Sequence, residues 1–229
     1  MMINILICSF CLLFGLECYA LEESRSIKTK EQVEVLKEKI ESDSIAERTN
    51  AYSTVCKSIY VAIEKGEKLK ELPDTLFEML IKGMSEDSEP CKEECVTTVY
   101  LIFYNYPINY ADSDNKLKLI ETIPFSGEEL KSIQKQLVHL LNENVYNIRR
   151  SALCSLALSI DCSEETKKEI LSHLLKESDD RNISLILDSL DKYGITVNEA
   201  QNVLRTLSEG ASDEIKEKCS KLLTSTNTN

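Results

Sequence analysis

Leu140 to Ser159 read LLNENVYNIRRSALCSLALS. Leu140 and Leu141 close one apolar run. Glu143 and Asn144 make a short polar turn, and apolar residues then recur at Ile148, Ala152 and Leu156, which is one face of a helix. The stretch predicts the end of a first helix, a tight turn and the start of a second. An arrangement of that kind gains meaning if it repeats, because a lone helix pair cannot bury its apolar face.

The pattern recurs. Lys39 to Ala51, KIESDSIAERTNA, aligns with it without a gap, and so does Gly83 to Cys95, GMSEDSEPCKEEC. Thr206 to Cys219 fits with one extra residue. Leu174 to Ile186, LLKESDDRNISLI, fits least well and lacks the basic residue. The aligned copies define three slots. A basic slot holds Arg48, Lys92, Arg149 and Lys216. A small slot, where neighbouring helices approach closely, holds Ala51, Cys95, Ala152 and Cys219. An apolar slot holds Cys91, Ile148 and Ile215.

On these residues the chain resembles the HEAT repeat, in particular the short bacterial type seen in phycobilisome-lyase-like proteins. That type reads roughly LLxDxxxxVRxxAxxAL; Glu143 and Asn144 occupy the turn that carries its Asp. The resemblance implies an all-α fold, a right-handed α-solenoid of about five antiparallel HEAT-like helix pairs. It also implies a non-catalytic scaffold for protein–protein interaction. The alternative is a cofactor-handling or lyase-like enzyme of the same class.

Caps and breakers place the helices at about 29–41 and 44–65, then from Pro73 to Met84 and from beyond Ser88 to before Pro107. A capping box of Ser126 with Glu129 starts the third pair, whose second helix covers about 145–160. The fourth pair falls at about 163–176 and 180–193, closed by Gly194. The fifth begins at a second capping box, Thr196 with Glu199, and ends with a helix over about 212–224. An insertion of about 106–124, with a short helix at 115–122, separates the second and third pairs. The solenoid is expected over 29–224, after a linker at 21–28 and before a disordered tail at 225–229.

The N-terminal MMINILICSFCLLFGLECYA is set apart. Its apolar run, Ile5 to Leu16, is too short for an ordinary membrane span. It fits the apolar core of a secretory signal, with Cys18 and Ala20 as the small residues before a cut at Leu21, although no Lys or Arg precedes the run. The expectation is a cleaved signal over 1–20, a secreted or periplasmic chain, and no stable transmembrane span after cleavage.

With 27 Lys and Arg against 39 Asp and Glu, the formal net charge is −12. Nucleic-acid binding is disfavoured, since it needs a basic stripe to replace phosphate counterions, and so is docking on an anionic membrane. The partner implied is an unidentified protein. Glycines number only 6, and no nucleophile elbow, phosphate-binding loop or zinc-protease motif occurs, so no catalytic residue, cofactor or metal is assigned.

Beyond residue 20, six cysteines remain: Cys56, Cys91, Cys95, Cys154, Cys162 and Cys219. An even count in an exported chain fits disulfides. The repeat register instead puts Cys91, Cys95 and Cys219 in packing slots, where a thiol acts as a small hydrophobe. A Cys91–Cys95 bond would be strained, since both Cβ vectors point the same way along the helix.

His139 and His173 each precede a repeat's leucine pair, in a slot that is otherwise Glu38, Lys82 and Arg205. Both are therefore expected to face solvent, and no third ligand completes a zinc site. The basic slot is expected to pair with turn carboxylates of the adjacent repeat, at exposed sites where each pair contributes about 0–1 kcal/mol. Tyr100, Phe103, Tyr104, Tyr106 and Tyr110 cluster beside the insertion. Of these, Tyr104, Tyr106 and Tyr110 are the candidate partner-binding residues. Asn182-Ile183-Ser184 forms a glycosylation sequon.

Overall fold

The computed structural model describes residues 27, 29–64, 74–109, 125, 127–159 and 162–225. Ten helices run through them: α1 Lys30–Ile40, α2 Ile45–Glu64, α3 Asp74–Met84, α4 Glu89–Asn109, α5 Gly127–Leu140, α6 Tyr146–Leu158, α7 Glu164–Leu174, α8 Asp180–Leu187, α9 Val197–Gly210 and α10 Asp213–Ser225. Among the described residues there is no strand, and no helix is long and apolar enough to cross a membrane. The N-terminal signal, the Ser126 cap, the short helix at 115–122 and the tail from 226 lie outside the described residues.

Local chemistry sets the helix starts. Thr29 and Gln32 form a reciprocal capping box at α1, and Thr196 and Glu199 form one at α9. The side chains of Ser163 and Asp179 cap α7 and α8. Each supplies an acceptor to a backbone N–H that the helix leaves unpaired.

Consecutive helices pair, and the pairs stack. α2, α4, α6, α8 and α10 pack in order as one layer, and α3, α5, α7 and α9 as the other. The buried side chains form a single cluster running from Ile27 to Cys219. Ala51, Cys91, Cys95, Ile148, Ala152, Ile215 and Cys219 all belong to it, each at most 1% exposed. The fold is an all-helical α-solenoid in which each pair shields its neighbour's apolar side.

Two helix ends differ from expectation. α4 does not stop before Pro107; its backbone stays helical to Asn109. Proline removes one backbone donor, and only two residues follow it, so a single bond is lost near the end. α8 does not run to 193 but ends at Leu187. There the bonding slips to three-residue spacing, with the Ser189 N–H donating to the Ile186 carbonyl at 3.1 Å. Tyr193 is fully buried, and its hydroxyl donates to the Leu153 carbonyl of α6 at 3.1 Å. That anchor fixes the turns beyond α8. Gly194 then takes φ 68°, which lets the Ile195 N–H reach the Leu190 carbonyl at 2.8 Å, with both side chains buried. This is the glycine-terminated end expected of such a chain reversal.

The fourth pair is shifted by one residue. In α5 and the residue after it the inward positions are Ile133, Leu137, Leu140 and Leu141; in α7 they are Thr166, Ile170, His173 and Leu174. Leu175, aligned by sequence with Leu141, is therefore turned outward and 47% exposed. His173, expected on the surface, occupies the inward place of Leu140 and is buried, whereas His139 is exposed.

Neighbouring helices approach closely at Gly83. A Cβ there would lie 2.3 Å from the Cys95 sulfur and 2.8 Å from the Tyr52 ring. Gly83→Ala is expected to destabilise the protein by about 1–3 kcal/mol through overpacking, read as a lower denaturation midpoint. Gly210→Ala, where an added Cβ meets nothing within 4 Å, is expected to be neutral or to stabilise by up to about 1 kcal/mol.

Candidate functional site

Charged side chains join the pairs in a regular ladder. Arg48 of α2 lies 3.4 Å from Glu86, Lys92 of α4 lies 2.7 Å from Glu143, and Arg149 of α6 lies 2.9 Å from Glu177. In each rung the cation comes from the second helix of one pair and the carboxylate from the turn of the next. The arginines also tie down their own turns: Arg48 donates to the Ser42 carbonyl at 2.8 Å, and Arg149 to the carbonyls of Glu143 and Asn144 at 2.9 Å.

These pairs are not the exposed, weak contacts expected. Arg149 and Glu177 side chains are 13% and 1% exposed. A buried ion pair makes the removal of either partner costly. Lys216, the fourth basic-slot residue, forms no such rung among the described residues; its neighbour is Asp213 of its own helix, at 3.8 Å. Ile183 fills the basic slot of the fourth pair and is buried. The last junction is held in the reverse sense, by Lys218 of α10 reaching Asp188 and Ser184 of α8 at 2.6 and 2.5 Å.

Glu177 is the most elaborate node. Arg149 grips it with two parallel N–H···O bonds of 2.9 Å. Asn182 donates at 3.1 Å, the backbone N–H groups of Ser178 and Asp179 donate at 2.9 and 3.0 Å, and His173 Nε2 lies 3.2 Å away. Burial pushes the carboxyl pKa up, but the Arg149 hydrogen bonds, the Asp179 N–H, Asn182 and the Arg149 charge outweigh it and hold it at about 2. Burial pushes the His173 pKa down, against the pull of Glu177. Asn182 is fully buried, so its sequon offers no site for a glycan on the folded chain. The sequence held one signal for these acceptors: Glu86, Glu143 and Glu177 each fall three residues after the first position of an aligned repeat.

The open side of the second-helix layer carries a different set. On α4, Glu93, Thr97, Tyr100 and Tyr104 recur at helical spacing and stay partly or fully exposed. Tyr104 is 36% exposed, and its ring lies 5.7 Å from that of Tyr100. The backbone of Tyr106 continues α4, and Tyr110 lies outside the described residues. Phe103 turns inward instead and packs edge-on against Phe125 at 5.8 Å; Phe77 lies 5.9 Å from Phe125 on another side. Across to α6, Asn147 donates to Glu93 at 3.0 Å. Further along, the Arg181 guanidinium lies over the Tyr146 ring at 4.2 Å, a cation–π contact.

A groove between α1 and α3, lined by Lys37, Ile40, Glu41, Thr75, Glu78, Met79 and Lys82, holds about 170 Å³, below the 300 Å³ or more of a typical small-molecule site. Among the described residues, no three His, Cys, Asp or Glu side chains are placed to hold a metal ion.

At pH 7 the Glu177 carboxylate is fully ionised and stabilising. Its pKa falls from 4.5 to about 2 on folding, so its contribution is present above about pH 5 and is lost as the pH falls from 4.5 toward 2. His173 acts in the same direction, because its folded pKa lies below 6.5. Denaturation titrations are expected to show Glu177→Gln losing about 3 kcal/mol less than the wild type between pH 5 and 2. Arg149→Ala is expected to cost about 3–5 kcal/mol at pH 7, since it strands a buried carboxylate.

No family model matches the chain, and no curated protein matches it. Among solved structures, it is similar to a computationally designed armadillo repeat protein for modular peptide recognition. The two share 17% identity and a TM-score of 0.51, over 82% of this chain and 79% of that one. An archaeal HEAT-like repeats protein from Thermococcus onnurineus aligns at 16% identity and TM-score 0.36, over 85% and 86%. Likeness at this level establishes the fold alone: the chain folds as a helical-repeat α-solenoid of paired helices.

Proposed function

We propose that this chain is a non-catalytic scaffold that binds a protein partner on the open side of its second-helix layer, centred on Tyr100 and Tyr104. One observation carries the proposal: a tyrosine pair in tilted ring contact on the outward stripe of α4, with Tyr104 36% exposed. Two aromatic rings in mutual contact offer a large contact area with little rotamer entropy left to lose. The α4 stripe that carries the pair also carries Glu93, to which Asn147 of α6 donates at 3.0 Å, and α4 packs along α6, so the stripe lies on a surface shared by two repeats. Contact surfaces spread over several stacked repeats are what this architecture provides. The likeness to a protein designed for modular peptide recognition is consistent with this use of the fold.

We further propose export, on the N-terminal run of residues 1–20 alone. The intact mass of the protein purified from its native source is expected to match a chain beginning at Leu21. A retained Met1 would overturn that proposal.

The scaffold proposal is tested by capture on the immobilised chain from the native envelope or secreted fraction. One protein is expected at near-stoichiometric yield, cross-linked to α4 and α6. Tyr100→Ser with Tyr104→Ser is expected to weaken its capture by roughly tenfold or more, since truncating even one hot-spot residue costs about 2 kcal/mol or more and about 1.4 kcal/mol is tenfold, while the melting midpoint stays unchanged. Capture that persists in the double variant would place the interface elsewhere. Loss of cooperative unfolding would show that the rings serve the fold.

A further inference from the structure

Cys56 of α2 and Cys95 of α4 bring their sulfurs to 3.9 Å of one another. Both residues are buried, and they belong to adjacent repeats. Cys95 is held in this place: it stands over Gly83, where even an added Cβ would come within 2.3 Å of the sulfur. The Cys56 sulfur rests 3.9 Å from the Glu94 carbonyl oxygen, on the same stretch of α4. Cys91, one turn before Cys95, meets α2 at a different place, with its sulfur 3.4 Å from the Thr49 hydroxyl. The geometry therefore selects Cys56, and not the sequence neighbour Cys91, as the partner of Cys95.

We propose that Cys56 and Cys95 form an oxidisable dithiol whose disulfide covalently staples the first two repeats. A disulfide needs its sulfurs at about 2 Å, so the two side chains must share a closure of about 2 Å from their present contact. The oxidant belongs to the class of small-molecule disulfides, of which glutathione disulfide is the probe. One cysteine loses its proton, and the thiolate attacks a sulfur of the small disulfide. A mixed disulfide forms, and one small thiolate leaves and takes up a proton. The second cysteine then loses its proton and attacks the mixed disulfide at the protein sulfur, and the second small thiol departs. The protein gives up two hydrogens and two electrons, which the small disulfide gains. Since both sulfurs are buried, the first attack waits on local opening of the α2–α4 contact. The bridge then closes a loop between residues 39 apart in sequence and locks the offset between two neighbouring helices of one layer.

The test equilibrates the full chain in glutathione couples from fully reduced to fully oxidised. The protein is then denatured in N-ethylmaleimide and its cysteine peptides are mapped by mass spectrometry. A linked peptide containing Cys56 and Cys95 is expected to accumulate with the oxidised fraction and to vanish on adding dithiothreitol. The melting midpoint is expected to rise by roughly 5–15 °C as the link forms. Cys95→Ala, which places in this slot the residue that Ala51 and Ala152 already supply, is expected to abolish that rise. If Cys56 and Cys95 both carry N-ethylmaleimide at the most oxidising couple, the proposal is overturned. It is equally overturned if either is found linked only to glutathione or to another cysteine. Peptide mapping of the wild type decides the matter even if the variant folds poorly.

Discussion

A carboxylate buried in a turn cannot stay ionised without a cation, and in this protein the cation comes from the repeat before. Glu177 is the extreme case: almost wholly out of water, gripped by Arg149 through two bonds and by three further donors. The arginine that satisfies it also closes the turn of its own repeat by donating to the Glu143 and Asn144 carbonyls. One side chain therefore shapes a turn and sets its distance from the next. Apolar burial supplies most of the adhesion between repeats but specifies little, since it is non-directional. The directional rungs are what define the stacking offset along the first four pairs.

The ladder ends where its chemistry ends. With Ile183 in the basic slot, the fourth repeat extends no rung forward among the described residues, and Lys218 reaches backward from the fifth to Asp188 and Ser184. The fourth repeat is also the one whose first helix is rotated by a residue, bringing His173 inward and turning Leu175 out. The turn itself keeps the same length, Leu174 to Glu177 matching Leu140 to Glu143. With His173 turned inward, Glu177 lies beside its ring while still meeting Arg149.

Structure and surface divide the tyrosines in the same way. Tyr52 and Tyr193 are buried with their hydroxyls committed, to Glu86 and to the Leu153 carbonyl. Tyr100 and Tyr104 face out along α4. The contrast matters for function, because in a protein of net charge −12 an outward aromatic pair is an uncommon feature on a surface otherwise suited to staying solvated.

Several features were legible in residue order alone: the paired helices, most of their boundaries, the small slot of Ala51, Cys95, Ala152 and Cys219, and the identity of the cations Arg48, Lys92 and Arg149. Each depends on spacing within a dozen residues, and helical period and turn chemistry operate over that range. The depth of the rungs, the inward turn of His173, the burial of Asn182 and the contact of Cys56 with Cys95 were decided only by the tertiary structure. Each depends on how far one repeat leans on another, and no local pattern encodes that offset. His173 shows the limit most clearly. Its neighbours in sequence predict a surface residue, yet a one-residue rotation of its helix makes it part of the core.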